Sequence, residues 1–186
     1  HSAGPNSRKN ILWCGAFKDH KDPKMALEVV KIMRDEFNRD DFSLEMFGDG
    51  KARNKLKRYA RKHQLINIKI NPWTSKDVIF QTMAQSKVLL FTSYRETAGL
   101  QILEALANGM KVVSSEATGA ADWLASSSVT FLRPSPHGNR KQFARQLAIE
   151  TLKQLNSEDS PIAISDFALS NQVSLICNAL DSINQP

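Results

Sequence analysis

Apolar runs and helical periods alternate along almost the entire chain. Short runs rich in β-branched and aromatic residues predict about six strands, at 10–16, 42–48, 67–71, 87–93, 111–115 and 129–132. Between them, apolar residues recur every three or four positions and predict helices at 22–37, 51–63, 75–86 and 98–109. Two further helices are expected after residue 137, separated by the polar stretch 156–161.

Almost every position of the predicted strands is apolar, so both faces of each strand should be buried. Such strands are typical of parallel sheets that carry helices on both faces. The pattern therefore predicts an α/β fold, with a single Rossmann-like, doubly wound domain of about six parallel strands. This domain is assigned to residues 10–186, with the helices of 137–186 packed on it, and residues 1–9 are interpreted as a tag remnant or linker.

Length and cysteine content are those of an ordinary globular domain from a reducing compartment. A chain of 186 residues can bury a sizeable core, and no apolar run approaches the roughly 18 residues of a membrane span. Cys14 and Cys177 lie far apart in apolar runs, which predicts buried free thiols rather than a disulfide. We therefore expect a cytoplasmic location.

The net charge of +6 owes much to one basic stretch, KARNKLKRYARKH at 51–63. A basic helix can bind nucleic acid or an anionic membrane surface. The simpler interpretation is a solvated helix whose inward face carries Leu56, Tyr59, Ala60 and His63. Nucleic acid is not an expected partner, because the chain has none of the usual nucleic-acid-binding motifs. Peripheral contact with an anionic membrane stays open.

The loops that follow the predicted strands are the expected ligand site, because doubly wound sheets bind ligands outside the carboxyl ends of their strands. The first loop contains Gly15 and Lys21, and a lysine there suits a phosphate group. The second contains Gly48 and Gly50, which allow close backbone approach. The sequence has neither a GxGxxG fingerprint nor a GxxxxGK[ST] loop.

The segment FTSYRETAGLQILEALANG, at 91–109, places a polar turn and a glycine between a buried strand and a helix. The free amides of Gly99 and Leu100 would point out of the helix N-terminus, where the dipole favours an anion. Glu96 and Glu104 would flank that anion and could accept hydrogen bonds from sugar hydroxyls. Alternatively, Glu96 caps the helix and Glu104 lies on a solvated face. Local chemistry alone leaves both interpretations open.

The residues ETAGLQILEALANG, at 96–109, resemble the E-x7-E signature of retaining GT-B glycosyltransferases, glycosyltransferase family four or "glycosyl transferases group 1". The likeness runs in order from about residue 10 to 125. ILWCGAFKDHKDPKMALEVV resembles the first strand, phosphate loop and helix of the family's C-terminal domain, and LEMFGDG its second strand and glycine turn. LLFTSYRE resembles the strand before the signature, and GMKVVSSEATGAAD the segment after it. This collinear series is more specific than any single motif.

The resemblance implies that the chain is the C-terminal, donor-binding half of a GT-B fold. Its expected function is transfer of a sugar from a UDP- or GDP-linked donor to a glycan or lipid-linked acceptor, in polysaccharide biosynthesis. The acceptor would bind to an N-terminal domain that is absent here, so the chain alone should be inactive. No bound cofactor is expected. We also expect metal independence, because no D-x-D pair follows a strand, and a location in the cytoplasm or at the inner face of a membrane.

The resemblance also assigns the donor-binding residues. Glu96 is the expected catalytic residue and would bind the hydroxyls of the transferred sugar, while Glu104 would bind the ribose. The amides of Gly99 and Leu100, with Lys21, would hold the diphosphate.

The remaining assignments concern the first three strand loops. Gly15 lies in the phosphate loop, Gly48 and Gly50 would lie beside the nucleoside, and Trp73 beside the base.

One position departs from the family pattern. The residue after the first-loop glycine is usually an arginine that binds the diphosphate, and here it is Ala16. Lys18 is the nearest possible replacement, although a lysine does not reproduce the bidentate geometry of arginine. This departure supports the alternative of a non-catalytic nucleotide-binding module or scaffold with the same fold. A sugar-nucleotide epimerase-like domain is a more distant alternative.

Overall fold

A computed structural model describes residues 10–96, 99–115, 128–134 and 138–157 of the chain. Within them, six parallel strands form one sheet in the order β3-β2-β1-β4-β5-β6. The strands are β1 Asn10–Cys14, β2 Ser43–Phe47, β3 Ile68–Asn71, β4 Val88–Phe91, β5 Lys111–Ser115 and β6 Val129–Leu132. The helices are α1 Pro23–Phe37, α2 Arg53–Lys62, α3 Lys76–Gln85, α4 Leu100–Ala107 and α5 Arg140–Asn156.

The side chains of β1 show how the sheet buries both of its faces. Ile11 and Trp13 pack into a cluster with residues of α1, α2 and α5. Leu12 and Cys14 point the opposite way, into a second cluster with residues of α3 and α4. Because successive side chains of a strand alternate between faces, an unbroken apolar strand needs helices on both sides. The predicted doubly wound fold is confirmed.

Local sequence signals set the ends of several helices. Asp22 is the N-cap of α1, its carboxylate accepts a hydrogen bond from the Met25 amide at 3.2 Å, and Pro23 occupies the first helical position. Ser75 caps α3 in the same way and accepts from the amide of Val78 at 3.5 Å. Both helix starts therefore follow from short polar side chains that satisfy otherwise free amides.

The elements differ from the predictions mainly at their ends. The strands are up to three residues shorter than the apolar runs, and α4 begins at Leu100 rather than at 98. A 3₁₀ turn at Asp19–Lys21 was not predicted, because it spans too few residues to show a period. Of the two predicted C-terminal helices, the first is α5, and the second lies outside the described residues, as do residues 1–9 and Cys177.

The predicted inward face of the basic helix is confirmed. Leu56 and Ala60 of α2 are buried, and Tyr59 and His63 are half-buried.

No helix in the described parts of the chain is both long enough and apolar enough to cross a bilayer.

The strand order creates a crevice between β1 and β4. These two strands are neighbours, although β2 and β3 separate them in the sequence. After β1 the chain enters α1 on one face of the sheet, and after β4 it enters α4 on the other. The two loops therefore diverge at the carboxyl edge, which is where doubly wound sheets bind their ligands.

Candidate functional site

Hydrogen bonds from one buried hydroxyl group, that of Thr92, anchor the loop after β1 to the end of β4. The Thr92 hydroxyl accepts a hydrogen bond from the Trp13 indole at 2.9 Å. It donates toward the backbone carbonyls of Lys21 and Asp22, each at 2.9 Å. Thr92 directly follows β4, so this contact fixes the backbone that carries Lys21 relative to the strand that leads to Glu96.

Two further residues join the same loops. The amide of Tyr94 and the hydroxyl of Ser93 donate to the carbonyl of His20, at 3.0 and 3.1 Å. The Ser115 hydroxyl, at the end of β5, donates to the carbonyl of Ser93. Ser93 and Ser115 are buried, and a buried hydroxyl needs such partners. The loops after β1, β4 and β5 therefore form one hydrogen-bonded unit.

Lys21 and Glu96 meet in this unit. The Lys21 ammonium group donates to the Glu96 carboxylate, and both side chains are mostly buried. The ammonium nitrogen also lies 5.7 Å from the centroid of the Phe91 ring, within cation–π range. The two residues to which the family resemblance gives the diphosphate and the sugar are thus in direct contact.

Gly99 directs the N-terminus of α4 toward the same ion pair. It is the N-cap of the helix, with a left-handed backbone (φ 62°) that glycine adopts at low cost. Its carbonyl accepts from the amide of Ile102 at 2.8 Å. The amide of Ile102 is thereby used, whereas a helix supplies no partner for the amides of Leu100 and Gln101 before it, and the dipole there favours an anion.

One cavity brings four of the predicted site residues together. It has a volume of about 220 Å³ and is lined by Lys21, Phe91, Glu96, Gly99, Leu100 and Gln101. Pockets for whole ligands usually measure about 300–1,000 Å³. The cavity therefore suits one part of a larger ligand, such as a diphosphate with the adjoining sugar.

Glu104 lies deeper along α4 and does not line this cavity. Glu104 is half-buried, and its negative charge acts on the thiol of Cys14 at the carboxyl end of β1. Burial raises the pKa of the Cys14 thiol to about 12, and the nearby carboxylates of Glu104 and Glu45 add to the increase. Glu104 therefore lies on the inward side of the helix, not on the fully solvated face of the alternative interpretation.

Gly48 is required by the packing of one loop on another. A Cβ atom at this position would lie 1.9 Å from the carbonyl oxygen of Gly15, which no side chain can tolerate. At Gly50, a Cβ would lie 2.6 Å from the carbonyl oxygen of Phe17. The close backbone approach predicted from these glycines is therefore made to the β1 loop. Their assignment to the nucleoside stays a prediction.

Trp73 lies at the far end of the same edge. Its indole is half exposed, and its backbone amide donates to the Asp49 carboxylate at 3.0 Å. Asp49 sits between the two glycines of the β2 loop, so the loops after β2 and β3 are tied together. The exposed ring is available for stacking, and its assignment to the base stays a prediction.

A network around Arg140 was missed by the sequence analysis. The Arg140 guanidinium, at the start of α5, donates two hydrogen bonds to the Asp22 carboxylate at 2.7 and 2.8 Å. It donates a third to Glu28 at 2.6 Å. These hydrogen bonds raise the pKa of Arg140 further above its usual range. Asp22 is 118 positions away from Arg140, and no local pattern in the sequence signals such a contact.

A larger cavity lies on the other side of the β1 loop. Its volume is about 550 Å³, and its lining includes Lys18, Lys24, Lys55 and Tyr59. Lys18 therefore faces this cavity rather than the one at Lys21 and Glu96, and it does not supply the missing arginine charge to the smaller cavity.

Metal ligands do not cluster in the described parts of the chain. There, no group of three His, Cys, Asp or Glu side chains is placed to hold a metal ion. Charge at the small cavity comes from Lys21, Glu96 and the amides of α4. Metal independence stays a prediction.

The sequence model described as "Glycosyl transferases group 1" matches residues 2–158, well over half of the chain. The chain belongs to the glycosyl transferases group 1 family. No curated protein sequence matches it.

Solved structures show the fold of this group 1 chain in larger proteins. The pneumococcal O-GlcNAc transferase GtfA, in complex with UDP and GlcNAc, matches 78% of the chain with a TM-score of 0.69 and 17% identity. Anabaena Alr3699/HepE, in complex with UDP and glucose, matches 95% with a TM-score of 0.65 and 17% identity. WaaG, a glycosyltransferase involved in lipopolysaccharide biosynthesis, matches 81% with a TM-score of 0.62 and 22% identity.

The group 1 chain spans less than half the length of these proteins. It covers 29% of GtfA, 49% of HepE and 42% of WaaG. At such identities the likeness establishes the fold, that of the Rossmann-like domains of GT-B glycosyltransferases.

Proposed function

We propose that this chain is the donor-binding domain of a retaining glycosyltransferase with the E-x7-E signature, of glycosyltransferase family four. It takes a nucleoside-diphosphate sugar, UDP- or GDP-linked. The observation that carries the proposal is the small cavity at the β1/β4 crevice. A cation, a carboxylate and a helix N-terminus, supplied by Lys21, Glu96 and Gly99, line it together.

The diphosphate binds at the start of α4. The first-turn amides and the Lys21 ammonium group favour an anion there, and they stabilise the charge that develops on the leaving diphosphate. This stabilisation involves no metal ion. Glu96, on the same cavity wall, is the catalytic residue and accepts hydrogen bonds from hydroxyls of the transferred sugar.

The nucleoside extends from the diphosphate along the carboxyl edge. Glu104 accepts hydrogen bonds from the ribose, supported by its inward position near Cys14. The Gly48–Gly50 loop borders the nucleoside, and the half-exposed Trp73 ring borders the base.

The whole reaction needs an acceptor, a glycan or a lipid-linked glycan, held by an N-terminal domain outside these 186 residues. The chain alone therefore binds nucleotide but does not transfer sugar. The structural likeness to WaaG, involved in lipopolysaccharide biosynthesis, supports a role in making a surface polysaccharide or glycolipid. We place this chemistry in the cytoplasm, at the inner face of a membrane.

Thermal unfolding with UDP, GDP and ADP tests the donor site. A ligand at 100 times its Kd adds about 2.7 kcal/mol of stability, which raises the Tm of a chain of this size by roughly 5–11 °C. One diphosphate should give this shift, and Glu104→Gln should remove most of it. Glu150→Gln, on α5, is the matched control and should keep it. The absence of a shift with all three nucleotides would contradict the proposal.

Ala16 favours one alternative, a non-catalytic nucleotide-binding module or scaffold that keeps the fold while it has lost full diphosphate binding. Among the described residues, Lys21 is the cation that lines the small cavity, and Lys18 lines the other cavity, so it does not replace the arginine charge there. Ala16→Arg decides between the two functions. An active donor domain already binds a diphosphate, and the new guanidinium tightens binding about tenfold. A decayed module shows no shift as wild type and acquires one only in Ala16→Arg.

A further inference from the structure

All of the net positive charge of the chain lies in residues 51–62. This stretch contains seven of the 25 Lys and Arg residues and none of the 19 Asp and Glu residues. The rest of the chain holds 18 cations against 19 anions. Apart from α2 and the turn before it, the molecule is close to electrically neutral.

The fold turns these charges outward. The apolar face of α2 is fully used by the core, where Leu56 and Ala60 are buried. Lys55, Arg58 and Lys62 recur at spacings of three and four, so they form one stripe along the exposed side of the helix. The exposed residues Lys57 and Arg61 form a second stripe beside the first.

Stability of the helix does not explain this composition. Among the described residues, α2 has one acidic partner, Asp49, whose carboxylate lies 3.7 Å from the Arg53 guanidinium. Lys57 and Arg61 are a like-charge pair four residues apart, and so are Arg58 and Lys62. Such pairs destabilise a helix. The N-cap residue provides no side-chain hydrogen bond either. The charges therefore favour a partner outside the chain.

We propose that the exposed face of α2, residues 51–62, docks on the surface of an anionic lipid bilayer. Charge complementarity supplies the attraction, because juxtamembrane lysines and arginines gain free energy near an anionic surface. Because the core already buries the apolar face of α2, the helix lies on the headgroups without inserting. The choice of a lipid surface rests on the proposed function, in which a lipid-linked glycan is one of the two kinds of acceptor.

The exposed side of α2 offers little to a single-stranded nucleic acid. Such strands are held by stacking their bases on aromatic side chains. The one aromatic residue of α2 is Tyr59, and its ring contacts His63 at 4.3 Å and the Lys24 ammonium at 5.4 Å. A lipid headgroup needs only phosphate recognition, for which lysine is suited.

The position of α2 links this surface to the donor site. The helix begins three residues after Gly50, and Lys55 and Tyr59 line the 550 Å³ cavity beside the β1 loop, together with Lys18. A bilayer that contacts the N-terminal end of α2 therefore lies beside the carboxyl edge of the sheet.

Cosedimentation of the 186-residue chain with lipid vesicles tests the proposal. One vesicle contains equal parts of phosphatidylcholine and phosphatidylglycerol, and the other contains phosphatidylcholine alone. Binding should require phosphatidylglycerol and should disappear at 1 M salt, where the Debye length falls to about 3 Å. The double variant Arg58→Gln, Lys62→Gln should bind about 30-fold more weakly, since each cation contributes about fivefold.

The matched control is Lys141→Gln, Lys153→Gln, which removes two exposed lysine charges from α5. It should keep wild-type vesicle binding, and the nucleotide-induced Tm shift is measured on both double variants. Equal losses in the two variants would overturn the proposal, as would tighter binding to an RNA or DNA duplex than to the vesicles. Vesicle binding without any nucleotide shift would instead reject the donor function and leave the surface in place.

Discussion

Lys21 and Glu96 form an ion pair across 75 positions of sequence, inside the cavity at the start of α4. One residue comes from the loop after β1 and the other from the loop after β4. In our proposal Lys21 binds the diphosphate and Glu96 the sugar. The carboxylate thus neutralises the phosphate-binding cation whenever the site is empty.

Glu96→Gln should therefore tighten the binding of UDP or GDP, because Lys21 is released and a negative charge beside the phosphates is removed. We expect an increase of about five- to tenfold, or roughly 1 to 1.4 kcal/mol, measured by isothermal titration calorimetry. The gain should shrink for the nucleotide sugar, which loses its contact with Glu96. Lys21→Met should weaken both ligands by tenfold or more. Weaker nucleotide binding by Glu96→Gln would contradict this competition.

Arg140 should stabilise the fold through the start of α1. Arg140→Met leaves the mostly buried carboxylates of Asp22 and Glu28 without their guanidinium partner. Because Arg140 itself is 45% exposed, the expected loss is only about 1 to 2 kcal/mol, a Tm decrease of roughly 2–8 °C. Arg140→Lys should recover part of this loss, since an ammonium group cannot bind Asp22 in a bidentate manner.

The control for this prediction lies on the same helix. Arg145 donates one hydrogen bond to Glu36 at 2.8 Å, in a more exposed ion pair, and its guanidinium lies 5.4 Å from the centroid of the Phe37 ring. Arg145→Met should cost at most about 0.5 to 1 kcal/mol. Equal effects at the two positions would show that the network at Arg140 adds nothing beyond a surface ion pair.

Charge reversal on α2 should stabilise the protein. Arg58→Glu removes the repulsion with Lys62 and places a carboxylate four residues before a lysine, the favourable order. The expected gain is about 0.4 to 1 kcal/mol, or roughly 1–4 °C in Tm by calorimetry. Arg58→Gln removes the repulsion only and should give about half of this gain in stability. A lower Tm in both variants would mean that Arg58 has a structural partner.

The buried thiol of Cys14 should make stability fall at alkaline pH. In the unfolded chain a cysteine ionises near pH 8.5, whereas burial raises the pKa of Cys14 to about 12. Above pH 8.5 the folded state therefore binds one more proton than the unfolded state, and the free energy of unfolding falls by about 1.4 kcal/mol per pH unit. Below pH 8.5 this contribution is fully present.

The measurement is a denaturant titration at pH 8.5 and pH 10 on wild type and Cys14→Ala. Wild type should lose about 1.6 kcal/mol more than the variant over this interval. Comparison with the variant removes the effect of lysines and tyrosines that also titrate there. Parallel losses in the two proteins would show that Cys14 ionises normally in the folded state.

The fold was predictable because its signals are local. An apolar run such as 87–93 can be satisfied only by burial on both faces, and its alternation with helical periods restricts the architecture to a doubly wound sheet. The ends of the elements were less predictable. Thr92 and Ser93 directly follow the apolar residues of β4 and were included in the predicted strand, but their hydroxyls donate hydrogen bonds to the β1 loop.

The site was predictable in its residue types but not in its contacts. The sequence order predicted that Glu96 and Gly99 stand at the start of α4, where both line the small cavity, whereas Glu104 does not line it. The Lys21–Glu96 pair and the Arg140–Asp22 pair join residues that are distant in sequence. The first pair depends on the pairing of β1 with β4 in the sheet, and the second depends on the packing of α5 on α1.

Thr92 anchors the β1 loop and also contacts the indole of Trp13, so tryptophan fluorescence can report on the site. The same hydroxyl that holds the carbonyl of Lys21 accepts the indole proton of Trp13, which is 2% exposed. Any ligand that displaces the Lys21 backbone alters the hydrogen bond of a buried fluorophore. Trp73, half exposed after β3, should emit at longer wavelength because water reaches its ring. Of the tryptophans that the structure describes, Trp13 therefore reports on the β1 loop and Trp73 on the β3 loop.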